Sequence, residues 1–311
     1  ALSSGMAAVQ LVFSLLSAGD HVLMSEDLYG GTVRLAEEVF AGYGITFEYV
    51  DVRDLALVGK RMRSETKLVF IETPSNPMMQ ISDIAALSAL AHENGALLAV
   101  DNTFLSPHFQ KPLTLGADIV LHSGTKYLCG HNDVIAGFLV LKDAASAQAK
   151  RIELLAKSAG PNLSALDSWL MLRSIKTLGV RVERQAENAL AIARWLGTLP
   201  EVTEVLYPGL ADHPGYALQQ KQASGAGGMI SFKVRSAEIA KAALGRLHLI
   251  AFAESLGGVE TLLTYPIAQT HAEMPAALLK RTGLDDKLLR LSVGIEDVED
   301  LKADLQQALQ G

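Results

Sequence analysis

The sequence predicts an open, doubly wound α/β domain with a mostly parallel sheet, followed by a smaller α+β domain. Three observations carry that prediction. Segments with helical and strand periodicity alternate through the first half of the chain. Several strand segments are short continuous apolar runs, the pattern of strands covered on both faces. After about residue 145 the order of strands and helices becomes mixed.

The elements follow in order. Residues 6–17 (MAAVQLVFSLLS) read as a helix ended by Ala18-Gly19-Asp20, and residues 21–26 (HVLMSE) as a strand. GTVRLAEEVFAGYG is an amphipathic helix with a glycine stop, ITFEYVDV a strand, and KLVFIET (67–73) a strand followed by PSNPMMQ. SDIAALSALAHENG predicts a helix capped by Ser82 and closed by Gly95. ALLAVDNTF (96–104), LGADIVLHSGTK and IAGFLVLKD supply the remaining strands, and the βα repetition gives the doubly wound sheet. A helical stretch then spans 163–197. Beyond it come TEVLYPG, GGMISFKV, a helix near 237–247, HLIAFAESLGG, TLLTYP, KLLRLSVGIED and a final helix. The expected boundary falls near residue 182, giving domains 1–182 and 183–311.

Bulk properties narrow the function. The chain has 311 residues, 49% hydrophobic and 20% charged, ample for a sizeable core. Its 27 Lys+Arg against 34 Asp+Glu leave a net charge of -7, and without a basic cluster that argues against nucleic acid as partner. No apolar run reaches the roughly 18 to 20 residues a membrane helix needs. No basic leader with an apolar stretch suggests secretion. One cysteine, Cys129, excludes a disulfide framework and fits a reducing, cytoplasmic setting. The start at Ala1, with a glycine-containing loop within the first residues, reads as a domain missing upstream structure.

Ligands of open α/β sheets bind beyond the carboxyl ends of the strands. The residues there form a set: Ser3-Ser4-Gly5-Met6 opening the first helix, Tyr29-Gly30-Gly31, Ser75-Asn76-Pro77, Asp101-Asn102, and Ser123 to Lys126. Each has a plain reading as a cap, a turn, a packed aromatic or a solvated lysine. His122 and His131 lack further ligands at metal spacing, so no metal is expected. Together, however, the set suits pyridoxal 5′-phosphate. That cofactor needs a lysine for its Schiff base, an acid facing its pyridine nitrogen, anion binders for its phosphate and an aromatic residue on its ring. Lys126, Asp101, Ser123, Thr125 and Tyr29 supply those parts, and free N–H groups at a helix N-terminus attract anions. Burial and a nearby cationic ring are expected to lower the Lys126 pKa, leaving a free amine to act as a base.

SSGMAA, YGGT, ETPSNP, VDNTF, HSGTKYLCGH, AESLGG and LLRLSVGIED, in order along the chain, resemble the cysteine/methionine-metabolism pyridoxal phosphate enzymes of trans-sulfuration. The resemblance implies the aspartate aminotransferase-like fold, type I. It makes Lys126 the Schiff-base lysine and proton carrier, Asp101 the partner of the pyridine nitrogen, and Tyr29 the stacking residue that helps exchange the lysine for the substrate amine. Gly5 and Met6 N–H groups, Ser123 and Thr125 would hold the phosphate. Asn76 would sit near the cofactor's 3′ oxygen or the substrate carboxylate. Arg290 and Ser255 would take that carboxylate, and Glu254 would face the distal end of an amino-bearing substrate. Family members carry a longer segment ahead of SSGM that reaches the neighbouring subunit's cofactor, so the resemblance also implies a homotetramer built from dimers with shared sites, and a chain read as a fragment.

GHNDVIAG, LDSWLMLRSIKTL, GGMISF and FAESLGGVETLLTYPIAQTH look most like the bacterial cystathionine γ-synthase branch, with O-acetylhomoserine (thiol)-lyase relatives. The expected reaction is γ-replacement on an O-acylhomoserine by cysteine or sulfide. The alternatives are a cystathionine γ-lyase and a truncated, non-catalytic member.

Overall fold

The computed structural model describes residues 1–272 and 276–310. Its first sheet has six strands: β1 (His21–Ser25), β2 (Thr46–Val50), β3 (Thr66–Glu72), β4 (Leu97–Asp101), β5 (Ile119–Ser123) and β6 (Gly137–Leu141). Their order is β2-β1-β3-β4-β5-β6, parallel throughout except for β6 against β5. The chain steps outward one way from β1 to β2 and the other way from β3 onward, so a switch point lies between β1 and β3.

Eight helices accompany this half: α1 (Gly5–Phe13), α2 (Gly30–Leu35), α3 (Leu55–Arg61), α4 (Ile84–Glu93), α5 (Ser106–Phe109), α6 (Ala147–Ala159), α7 (Ala165–Ile175) and α8 (Leu178–Leu196). The alternation within strands explains their continuous apolar sequence. Val22, Met24 and Phe70 join Phe13 and Val12 of α1 in one core, whereas Leu23, Val69 and Ile71 join Ile84 and Leu87 of α4 in the core on the opposite face. Both faces are dry, so both phases of the strand are apolar.

The second sheet orders β7 (Val202–Leu206), β8 (Met229–Val234), β11 (Leu288–Ser292), β10 (Leu262–Thr264) and β9 (Ala251–Phe252). It is antiparallel apart from the β9–β10 pair. α9 (Tyr216–Gln222), α10 (Ala237–Leu244), α11 (Ala276–Thr282) and α12 (Val298–Gln310) complete the chain. Ile192 and Leu196 of α8 pack with Phe232, Leu291, Leu301 and Leu305 in a core of its own.

Four local expectations are corrected. α1 stops at Phe13 rather than running to Ser17, because the Ser14 hydroxyl turns back to the Gln10 carbonyl and Ser17 N–H is taken by Asp20. The cap of α4 is Asp83, whose carboxylate accepts from Ala86 N–H at 2.9 Å; Ser82 instead ties its own N–H to Thr73 and its carbonyl to Gln222. The helix beginning at Gly30 leaves α geometry at Ala36, widening into a π turn to Phe40 and tightening to Tyr43 before Gly44 at φ +82°. The stretch 163–197 is two helices, not one. Released by the break, the Ser174 carbonyl accepts from Thr177 N–H, the Thr177 hydroxyl and Arg181. α6, α9 and α11 had no counterpart in the sequence reading.

Candidate active site

A cavity of about 340 Å³ opens beyond the ends of β3, β4 and β5, closed on its other side by residues 254–256 and Arg290. The residues to which the resemblance gives a role all line it: Gly5, Met6, Tyr29, Asn76, Asp101, Ser123, Thr125, Lys126, Glu254, Ser255 and Arg290; Ser3, Gly30, Gly31, Ser75, Pro77 and Asn102 of the strand-end set do not.

β5 ends at Ser123, and the next turn carries Lys126, whose Nζ donates to Ser255 Oγ at 3.1 Å. Burial, reinforced by the charge of Arg290 and opposed by Glu254, lowers the Lys126 pKa to about 8. The direction is the one expected from burial; the second cause is a guanidinium of the protein itself. Asp101 ends β4. Its Oδ1 accepts from the Thr103 N–H at 2.9 Å and the Thr103 hydroxyl at 2.5 Å, and burial raises its pKa to about 6 despite those bonds. Thr103 Oγ1 in turn accepts from Ser123 N–H at 2.9 Å, so one side chain fastens the ends of β4 and β5 together.

α1 points its N-terminus at the same place. Ser4 caps it by accepting from Ala7 N–H at 3.0 Å, which leaves the N–H groups of Gly5 and Met6 without intrahelical partners. A Cβ on Gly5 would lie 2.9 Å from Ser123 Cβ, so only glycine lets the helix end meet the strand end. Thr125 Oγ1 accepts from Ala136 N–H at 3.0 Å and donates to the Ala136 carbonyl at 3.3 Å, a long bond that its proton would exchange for an anion in the cavity. Tyr29 stands before α2 with its N–H donating to Glu72 Oε2 at 2.9 Å; its ring folds against Gly31, where a Cβ would meet Cε1 at 2.5 Å.

Arg290 comes from the middle of β11 and is 1% exposed. Nη1 donates to Asn76 Oδ1 at 2.8 Å; Nη2 donates to the Glu254 carbonyl at 2.8 Å and to Thr264 Oγ1 at 3.2 Å. Its Nε is buried without a partner among the described residues. Burial pushes its pKa down to about 10. A buried guanidinium held by neutral acceptors is poised for an incoming anion.

Charge and donors therefore match a phosphorylated pyridine aldehyde: an amine with a lowered pKa, a buried acid, a bare helix N-terminus beside two hydroxyls, and an aromatic ring. The sequence reading overlooked several supporting residues. Glu72 and Thr270 line the cavity. His271, pushed to about 4 by burial, bonds the Asn76 carbonyl at 3.1 Å and the Thr270 hydroxyl at 2.7 Å. Arg181, 4% exposed, grips the lysine-bearing turn from behind, donating to the carbonyls of Tyr127 at 2.8 Å, Leu128 at 3.4 Å and Ser174 at 3.1 Å. A Cβ on Gly130 would sit 1.9 Å from its Nη1. Thr103, which also lines the cavity, was overlooked too, although it had a visible signal, the Asp-x-Thr spacing of a local side-chain turn. The two histidines lie outside the cavity: His122 is buried with Nδ1 unpartnered among the described residues, and His131 bonds the Cys129 carbonyl.

Fold and site together define a pyridoxal phosphate-dependent enzyme of the aspartate aminotransferase-like type. The comparisons carry this further. The family model described as "Cys/Met metabolism PLP-dependent enzyme" matches residues 1–310, and the chain belongs to that family. It is 47% identical to cystathionine beta-lyase MetC of Bacillus subtilis over 309 residues, covering 99% of this chain and 79% of that one. It is 45% identical to the cystathionine gamma-synthase/O-acetylhomoserine (thiol)-lyase of the same organism over 309 residues, covering 99% and 78%. Among solved structures it superposes with a TM-score of 0.96 and 43% identity on cystathionine gamma-lyase from Lactobacillus plantarum complexed with L-serine, covering 99% and 81%.

Proposed function

We propose that this trans-sulfuration enzyme catalyses γ-replacement, joining an O-acylhomoserine to cysteine. The observation that carries the reading is a second cavity, of about 650 Å³, that adjoins the first, shares Tyr29, Glu254 and Thr270 with it and is lined also by Arg34, Glu37 and Glu38. It offers room and charges of both signs for the ammonium and carboxylate of a second amino acid, which sulfide alone does not require.

Pyridoxal phosphate, when bound, supplies an electron-withdrawing ring that stabilises negative charge on the substrate's α-carbon. The chain's own residues do the rest. Gly5 and Met6 N–H groups with the Ser123 and Thr125 hydroxyls hold the phosphate. Asp101 sets a negative charge before the ring nitrogen. Arg290 and Asn76 fix the α-carboxylate. Freed Lys126, a base near neutral pH, carries protons between neighbouring carbons. Glu254 orients the amino group of the distal amino acid.

A second reading is elimination from cystathionine, supported by the lyase names borne by two of the relatives above. Incubation with O-acetylhomoserine plus cysteine, and separately with cystathionine, tests the choice. Cystathionine formed in the first mixture supports γ-replacement; 2-oxobutyrate or pyruvate from the second, with no cystathionine from the first, reverses it. We further propose a homotetramer, supported by the exposed apolar side chains Leu166, Trp169 and Leu172 of α7 and by Ile135, 65% exposed at the cavity rim; light scattering of the purified protein measures it.

A further inference from the structure

Glu72 ends β3 and lines the cavity, yet the reaction outlined above gives it no task. β3 and β4 run parallel in a register that sets Glu72 opposite Asp101, so two carboxylates of neighbouring strand ends line one cavity. The charged groups facing Glu72 are Asp101 on β4, Asp27 after β1 and Arg290 on β11. Their satisfaction differs. Asp27 accepts from the Ser75 hydroxyl and Met78 N–H, and Asp101 from two donors of Thr103. Among the described residues Glu72 accepts one hydrogen bond, from Tyr29 N–H. Arg290 spends its bonded donors on Asn76, Glu254 and Thr264 rather than on Glu72. Burial and the Asp101 charge raise the Glu72 pKa well above the usual carboxylate range. Of the two acids at the strand ends in the cavity, Glu72 is thus less compensated by donors than Asp101, and its charge responds to a cation that enters.

We propose that Glu72 is a positioning residue of the cofactor site, holding Tyr29 by its backbone and sharing with Asp101 the negative charge presented to the ring. The hydrogen bond fixes the start of α2 and hence the Tyr29 ring. The charge makes cofactor uptake and ionisation of the Glu72–Asp101 pair favour each other. The inference rests on the cofactor and not on the choice among sulfur reactions, so it stands or falls separately from that choice.

Two variants separate the parts. Glu72→Gln keeps an acceptor for Tyr29 N–H and removes the charge; Glu72→Ala removes both. Fluorescence titration of the apoproteins with pyridoxal phosphate is expected to give a Kd raised about tenfold for Glu72→Ala, the loss of one hydrogen bond to a charged acceptor, and less for Glu72→Gln. Melting of the apoproteins reads the charge. A carboxylate with a raised folded-state pKa costs stability as pH rises through its unfolded-state value of about 4.3, so Glu72→Gln melts above wild type at about pH 8 and level with it only at about pH 4 and below. Saturating cofactor, whose protonated ring nitrogen would lie near the two acids, narrows the gap. A melting difference equal at both pH values, or wild-type cofactor affinity in Glu72→Ala, overturns the proposal. If Glu72→Ala does not fold, the pH dependence of Glu72→Gln decides alone.

Discussion

In the six-stranded sheet the cavity's polar residues begin where strands stop: Glu72 closes β3, Asp101 closes β4 and Ser123 closes β5. In the five-stranded sheet a cation that lines the cavity sits inside a strand, Arg290 at the centre of β11, flanked by fully buried leucines. The first arrangement keeps apolar strands and ionisable groups apart in sequence. The second places a charge where a strand's interior should be apolar, and compensates it with acceptors from three distant segments. Strand ends can exchange polar residues at little cost to the core, whereas Arg290 is bound up with its sheet.

The largest test of the first arrangement is Lys126→Ala. Turnover is expected to fall on the order of 10⁴-fold, the scale of a lost acid–base group, with unchanged circular dichroism. Borohydride would no longer fix the cofactor to the chain. Next is the pH dependence. The apoprotein's Lys126 should react with an amine-directed reagent with a midpoint near the value of about 8 given by its burial. Because Glu254 holds that value up, Glu254→Gln should move the midpoint lower. A midpoint at the ordinary lysine value would break the account of the turn.

Arg290→Lys probes the second arrangement. A lysine cannot reproduce the fork, so kcat/KM should drop on the order of 100-fold, chiefly through KM. A loss confined to thermal stability would mean the cation serves the sheet and not the substrate. Arg181→Met removes donors from three carbonyls and should cost about 2 to 3 kcal/mol of stability by denaturant titration. The smallest effect sharpens a local point: Asp83→Ala should cost about 1 kcal/mol and Ser82→Ala much less, since Asp83 carries the cap.

The same contrast governs what the sequence revealed. The parallel sheet was legible because continuous apolar runs ended abruptly in polar motifs, and those motifs met at one edge as expected. Arg290 was reached through resemblance rather than periodicity, since a charge within LLRLS reads locally as a solvent-facing residue. The break between α7 and α8 left no pattern, since both sides of it read as helix; it shows only in the Ser174 carbonyl, which accepts from Thr177 and Arg181. Glu72 was hidden by its own strand, because KLVFIET gives no sign that its acid faces a cavity.

The grip of Arg181 on the turn that carries Lys126 has an engineering meaning. The turn is fastened on its far side, at Tyr127 and Leu128, with Gly130 allowing the close approach. Its anchorage and its chemistry are thus separate modules, and residues on the cavity side such as Glu254, Glu37 and Glu38 can be exchanged without loosening the socket. A library aimed at a new sulfur donor should vary that outer wall and leave Arg181 and Gly130 untouched.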